Sequence, residues 1–257
     1  MNNLRGHERR IGLARVLSKL GHCSRSRAVE LIREGRVRLN GIVQHNPEAP
    51  VRIGKDHIES DGEPIEKARK LYLAVNKPRG IVTTAADEKG RETIYSLLPP
   101  NWPWIAPVGR LDKASEGLLL LTNDSEWAAK ILDPASHLEK TYHVQLEMVA
   151  DDRLTQTLEN GIREPSGELL RAKRAAFLRG GKKNCWLEIV LDEGKNRQIR
   201  RMFAALEMDV LRLVRVAIGP VVLGNIPKGK WRELTAQERE ALKVRTSAKT
   251  NLRKFRA

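Results

Sequence analysis

The sequence predicts an α+β protein. It reads as a small module of two helices and a few strands, followed by a larger domain on a mixed, mainly antiparallel sheet. Three observations carry this. Apolar residues recur at helical spacing near the N-terminus and give way to strict alternation by residue 39. Beyond a polar, proline-containing stretch, short apolar runs and helical segments follow one another without the regular alternation of a βαβ array. The length, 257 residues with 40% hydrophobic, suffices for one large domain and one small one.

Leu13, Leu17 and Leu20 predict the first helix, stopped by Gly21. Ser24 is placed to cap a second helix, with Val29 and Ile32 on its inner face and Gly35 at its end. Val37 and Leu39 alternate with Arg36 and Arg38 as a half-buried strand. Asn40-Gly41 predicts a tight turn into Ile42-Val43, and Val51, Ile53 and Ile58 suggest further short strands closed by Asp61-Gly62. Residues 61–70 read as a linker.

In the second domain Leu71–Val75 is a strand, residues 76–80 a turn, and Ile81 to Thr83 a return strand. Residues 85–104, rich in Pro and carrying Trp102 and Trp104, form an irregular excursion. Leu118–Leu121 predicts a buried strand. Asp124 is a candidate cap for a helix bearing Trp127, Ile131 and Leu132. Tyr142, Val144 and Leu146 alternate as a strand, and residues 152–159 form a helix ending at Asn160-Gly161. Strands Trp186–Leu191 and Leu211–Ile218 flank a helix capped by Asn196, with Ile199, Met202, Phe203 and Leu206 inside. Thr235 and Glu238 have capping-box spacing for a last helix. The expected domains are 10–68 and 70–245, with a basic, disordered tail over 246–257.

Charge narrows the function classes. There are 47 Lys and Arg against 32 Asp and Glu, a surplus of 15 beyond what solubility needs, so a polyanionic partner is expected. Arg25, Arg27, Arg33, Arg36 and Arg38 crowd the second helix and the strand after it, with few acidic neighbours, and read as a phosphate-binding face. Cys23 and Cys185 form neither a disulfide framework nor metal spacing, and no acidic cluster suits a metal-dependent nuclease. Without a signal-peptide pattern or a membrane-length apolar run, a cytoplasmic location is expected.

The loop Val108-Gly109-Arg110-Leu111-Asp112, continuing through Lys113 to Gly117 into the leucine run, lies where reacting groups are usually held. By physics alone an aspartate there is more often a turn residue. Two resemblances sharpen the reading. Leu13 to Gly41, including SRSRAVELIREGRVRLNG, resembles the S4 RNA-binding domain. GRLDKASEGLLLLTND resembles the central motif of pseudouridine synthases of the ribosomal RNA branch. NKPRG (76–80), EKTYHV (139–144), EGKNRQIRRMF (193–203) and GKWREL (229–234) match in the same order.

The resemblance implies isomerisation of a uridine in ribosomal RNA to pseudouridine, with large-subunit RNA preferred to small-subunit RNA and no cofactor or metal. It implies Asp112 as the attacking carboxylate, Tyr142 as the active-site tyrosine that stacks on the base, and Arg200 as the ion-pair partner of Asp112, with Arg197 and Arg201 as alternatives or phosphate contacts. Arg197 stands where related enzymes often have His. Arg110 is placed to fill the space left by the displaced base or to hold the flanking phosphate, while Lys77 and Arg79 are candidate RNA-backbone contacts and Asn76 is expected to order its own turn. The expected partner is ribosomal RNA or a pre-ribosomal particle, and a monomer is expected. The competing reading is a non-catalytic S4-type RNA-binding protein in ribosome assembly or rescue.

Overall fold

The computed structural model describes residues 10–84, 87, 89–148 and 152–247. The chain divides into two units. The smaller runs to Leu71 and takes in Pro99–Ala106 and Thr122–Ser125; the larger holds Tyr72–Leu98, Pro107–Leu121 and the chain from Glu126 onward.

The smaller unit contains β1 (Ile11–Gly12), α1 (Leu13–Lys19), α2 (Arg25–Arg33), β2 (Val37–Leu39), β3 (Ile42–Gln44), β4 (Pro50–Val51), β5 (Ile58–Ser60) and β6 (Glu63–Pro64). Leu13, Val16 and Leu17 of α1 pack on Ala28, Leu31 and Ile32 of α2 and on Val37, Val51 and Ile58. Burying each of these larger side chains contributes about 1.5–3 kcal/mol. Ser24 caps α2 as expected, its Oγ accepting from the Arg27 amide at 3.1 Å. β3, β2, β5 and β6 form an antiparallel sheet in that order.

Three expectations need correction here. Val29 is only half-buried, because Ala28, Leu31 and Ile32 define the inner stripe. Ile53 lies 44% exposed outside any strand. β6 carries the fold into the stretch read as linker, since Glu63 and Pro64 pair with Ser60 and Glu59. Only the end of the excursion, from Pro99 on and with Trp102 and Trp104, belongs to this unit: the Trp104 amide donates to the Gly21 carbonyl at 2.8 Å.

The larger unit is built from β7 (Tyr72–Lys77), β8 (Ala106–Val108, its first residue in the smaller unit), β9 (Glu116–Thr122), α3 (Ser125–Leu132), β10 (Lys140–Leu146), α4 (Asp152–Asn160), β11 (Ile162–Arg163), β12 (Leu169–Leu170), β13 (Arg174–Gly180), β14 (Cys185–Leu191), α5 (Gln198–Ala204), β15 (Val210–Ile218), β16 (Val221–Val222), β17 (Trp231–Glu233) and α6 (Ala236–Ser247). The main sheet runs β13-β14-β10-β15-β9-β7-β17. β15 and β9 pair in parallel, while β13–β14, β14–β10, β10–β15 and β7–β17 pair antiparallel. The sheet is thus mixed and mostly antiparallel.

Val144, Leu187 and Leu213 share a core with Leu158 of α4 and Met202 and Phe203 of α5. Leu118 and Leu120 share another with Trp127 and Ile131 of α3 and Leu242 of α6. Every residue of β9 is buried, which explains its unbroken leucine run in place of alternation. The capping box of α6 is present: Glu238 accepts from the Thr235 amide at 2.9 Å, and Thr235 Oγ1 from the Glu238 amide at 3.1 Å.

Other expectations fail. Ile81 to Thr83 form no return strand, only one bridge from Val82 to Thr93. Leu132 is 52% exposed. α5 is capped by Arg197, not Asn196; Arg197 is in the left-handed conformation (φ 48°) and gives no side-chain cap. α6 runs to Ser247, inside the stretch read as a disordered tail, and the rest of that stretch lies outside the described residues. Among the described residues no helix is long and apolar enough to cross a membrane.

Candidate active site

The loop between β8 and β9 is fixed through its backbone. All six carbonyls from Arg110 to Ser115 accept a hydrogen bond. Arg215 Nη1 reaches that of Arg110 (3.4 Å), Thr83 Oγ1 that of Leu111 (2.8 Å), and the Gly80 amide that of Lys113 (2.8 Å). Arg200 Nη2 reaches that of Ala114 (3.1 Å), and Lys77 Nζ those of Asp112 (3.1 Å) and Ser115 (2.9 Å). The Ser115 amide adds a second bond to the Asp112 carbonyl at 3.0 Å. Gly117, at φ 104°, is required where β9 meets β15: a Cβ there would lie 2.3 Å from the Arg215 carbonyl oxygen. With the backbone so occupied, the group the loop presents is the half-exposed Asp112 carboxylate.

That carboxylate pairs with Arg197 Nη1 at 3.3 Å. The pair expected with Arg200 is therefore corrected. Arg197, turned by its left-handed backbone at the head of α5, faces the carboxylate. Arg200, one turn on, is drawn to the carbonyls of Ala114 and Val210. Burial and the neighbouring Arg197 push the Arg200 pKa down, with Asp112 opposing. Arg201 is bound by Glu164 and Glu168, which compete with any phosphate for it.

Asp112 opens onto a cavity of about 630 Å³ that also meets Tyr142, Lys140, Leu191, Arg197 and Arg215. This lies within the range of pockets that enclose small ligands. Tyr142, in the middle of β10, stands opposite Arg215 of β15. Arg215 is 5% exposed and holds the Leu118 carbonyl through Nε at 2.7 Å. Lys140 is half-buried, and burial, then Arg215, push its pKa down.

The sequence reading missed Lys140 and Arg215. Lys140 lies two residues from Tyr142 and so on the same strand face, which was the available signal. Arg215 passed as a polar position of an alternating strand.

Lys77 is likewise corrected. It is fully buried, its ammonium taken by the carbonyls of Pro78, Asp112 and Ser115, so it fastens the loop and does not contact a nucleic-acid backbone. Burial pushes its pKa down to about 8, against the pull of Asp112 and Glu116. Asn76 does not order its own turn; its Nδ2 donates to the distant Ile226 carbonyl at 2.7 Å. Arg79 and Arg110 are exposed. Among the described residues no group of three or more His, Cys, Asp or Glu is arranged to hold a metal.

In the smaller unit all five arginines of the basic face are exposed, but they are not equivalent. Arg27 pairs with Glu30 (2.9 Å) and Arg36 with Asp61 (2.7 Å). Arg38 reaches the Gly41 carbonyl, and Arg25, Arg33 and Arg38 have no carboxylate partner among the described residues. Replacing each of these three by Ala is expected to weaken RNA binding and lower the salt slope by about 1 per residue, read by titration at several salt concentrations. Replacing Arg27 or Arg36 is expected to change the slope less, because each already pairs with carboxylates.

A backbone-fastened loop that presents an aspartate to a cavity, in a chain that also carries a basic helix-and-strand module, suits an enzyme acting on a nucleic acid, and comparison with known proteins gives its class. The family model for RNA pseudouridylate synthase matches residues 71–205, and that for the S4 domain matches residues 11–58. The chain belongs to the RNA pseudouridylate synthase family. It is 37% identical to "Ribosomal large subunit pseudouridine synthase B" of Bacillus subtilis (strain 168), over 90% of this chain and 95% of that protein. It is 38% identical to an "Uncharacterized RNA pseudouridine synthase" of Aquifex aeolicus (strain VF5), over 89% of this chain and 92% of that protein. A solved structure described as a pseudouridylate synthase superposes with a TM-score of 0.63 at 30% identity, covering 90% of this chain and 99% of the other.

Proposed function

We propose that this pseudouridine synthase acts at a defined uridine of ribosomal RNA, on the large subunit in preference to the small, with Asp112 as the attacking carboxylate. The observation that carries the reading is the loop itself: six fixed carbonyls leave one carboxylate facing a cavity of about 630 Å³ that Tyr142 also lines. The B. subtilis relative's name supports the large-subunit preference.

In the reaction the N1–C1′ bond breaks, the base turns, and a C5–C1′ bond forms while the C5 proton is lost and N1 gains one. The product is an isomer, so no co-reactant is consumed. Asp112 forms a transient bond to the nucleoside, Arg197 orients its carboxylate, Tyr142 stacks on the base and assists removal of the C5 proton, and Arg200 holds the loop from α5. Residues 10–68 bind RNA, residues 70–245 carry the chemistry, and the protein works as a cytoplasmic monomer on ribosomal RNA or a pre-ribosomal particle without a cofactor.

The test is a pseudouridine map of ribosomal RNA from cells lacking the protein, complemented with wild type or with Asp112→Asn. Loss of the mark at one or a few uridines, restored by wild type alone, is the expected result. Full restoration by Asp112→Asn would return Asp112 to a turn residue and favour a non-catalytic RNA-binding protein. Arg110, exposed at the loop's edge, is expected to fill the space the base leaves; Arg110→Ala should then lower kcat/KM on structured RNA roughly tenfold or more, within the usual range for a transition-state contact. An unchanged value would sink that role.

A further inference from the structure

Between Glu168 and Glu188 the chain carries Arg171, Lys173, Arg174, Arg179, Lys182 and Lys183 and no acidic residue. Arg174 and Arg179 lie on β13, and Lys182 and Lys183 in the turn of the β13–β14 hairpin, at the edge of the main sheet. Two of the cations are matched by carboxylates: Lys173 by Glu139 at 2.8 Å and Arg174 by Glu188 at 3.8 Å. Arg179, Lys182 and Lys183 are exposed and have no carboxylate partner among the described residues.

The register explains how they are presented. Phe177 pairs with Leu187 and Arg179 with Trp186, so Leu178 is an extra residue in β13. A bulge of this kind bends the strand and re-aims its side chains. It sets the Arg179 guanidinium 5.4 Å from the Trp186 ring, with that of Arg212 5.5 Å from the same ring. Glu116 holds Arg212 at 2.8 Å, whereas Arg179 is left with its charge outward. Phe177, 50% exposed, and Leu178, 42% exposed, precede it in β13, and the Phe177 ring packs against Gly180. Unpaired cations beside exposed aromatic and apolar groups suit a phosphate backbone with accessible bases.

We infer that this hairpin is a second RNA-contact surface, separate from the basic face of the smaller unit, that grips RNA flanking the target nucleotide. The inference rests on the proposed RNA substrate. Leu191, at the far end of β14, meets the catalytic cavity, and a seven-residue strand rises about 3.3 Å per residue. The tip therefore stands roughly 20 Å from the cavity along that strand, beyond the reach of the reacting uridine.

The test combines Arg179→Gln, Lys182→Gln and Lys183→Gln in the full-length protein, with circular dichroism to verify folding. Binding to naked large-subunit RNA is measured across salt concentrations, and single-turnover conversion at saturating enzyme is measured alongside. The expected result is an affinity loss of about tenfold or more and a salt slope reduced by about 2–3, with the saturated rate within twofold. Unchanged affinity and slope would overturn the inference. So would unchanged binding to naked RNA with weakened binding to a pre-ribosomal particle, which would make the hairpin a protein contact. Binding needs no turnover, so a wild-type protein that binds this RNA but converts no uridine would defeat the proposed substrate while leaving the hairpin's contribution measurable.

Discussion

Purified Asp112→Asn protein is expected to bind its RNA as tightly as wild type and to convert it at least about 10⁴-fold more slowly, the scale seen when a group that reacts covalently is removed. The amide keeps the shape of the carboxylate and removes its charge and nucleophilicity. The six carbonyl contacts of the loop are made by backbone, so the loop should hold its conformation. What changes locally is the partner of Arg197, which loses its 3.3 Å ion pair and becomes a freer cation beside the cavity. Affinity should hence stay the same or rise slightly. Rapid-quench kinetics with excess enzyme, paired with an RNA titration, separate the two effects. A rate within tenfold of wild type would remove Asp112 from the covalent step.

Lys77→Met should give the second-largest effect by another route. Lys77 does not touch the cavity, yet its ammonium binds the carbonyls of residues 78, 112 and 115 from a fully buried position. Methionine fills similar volume and donates nothing, leaving the Pro78 and Ser115 carbonyls without that donor at a cost of about 1–3 kcal/mol each. A displacement of about 1 Å in a reacting group is enough to lower a rate about 100-fold. The expected outcome is a kcat loss on that scale with KM within about threefold. Unchanged kcat would show that the other contacts hold the loop alone.

Protonation of Lys77 gives a further readout. Its folded pKa, about 8, lies below its unfolded value of 10.5. Between these values the folded protein has released a proton that the unfolded chain still binds. The contribution to stability therefore rises with pH across this window. In the same window the ammonium loses one of its three donors, so activity should fall. Denaturant unfolding and kcat should shift in opposite directions between pH 8 and 10.5, and subtracting the Lys77→Met profile isolates this residue.

The sequence made much of this legible where one local rule decides the outcome. Ser24, the Thr235/Glu238 box and the leucine run of β9 each follow from capping or burial within a few residues. Asp112 and Tyr142 were found through ordered motifs, and they do meet one cavity. What failed was long-range geometry. Which of Arg197, Arg200 and Arg201 faces Asp112 depends on the single left-handed residue that opens α5 and on Glu164 and Glu168, more than 30 positions away. Lys77 looked like a surface cation beside a turn because nothing nearby shows that three carbonyls converge on it. β13 escaped notice because an edge strand carries little apolar periodicity.

The fastening of the Arg110–Ser115 carbonyls has a kinetic consequence. A segment already immobilised when the substrate arrives has little freedom left to follow it, and the rearrangement on encounter must come from the RNA. The uridine has to unpair and unstack before it reaches the carboxylate, at a cost of a few kcal/mol set by its own neighbours. Turnover on a series of RNA hairpins differing in the strength of the base pairs around the target should thus follow the local melting of the nucleic acid. Amide hydrogen exchange at Leu111 and Ser115, whose N–H groups donate to Thr83 Oγ1 and to the Asp112 carbonyl, should be the same with or without bound RNA.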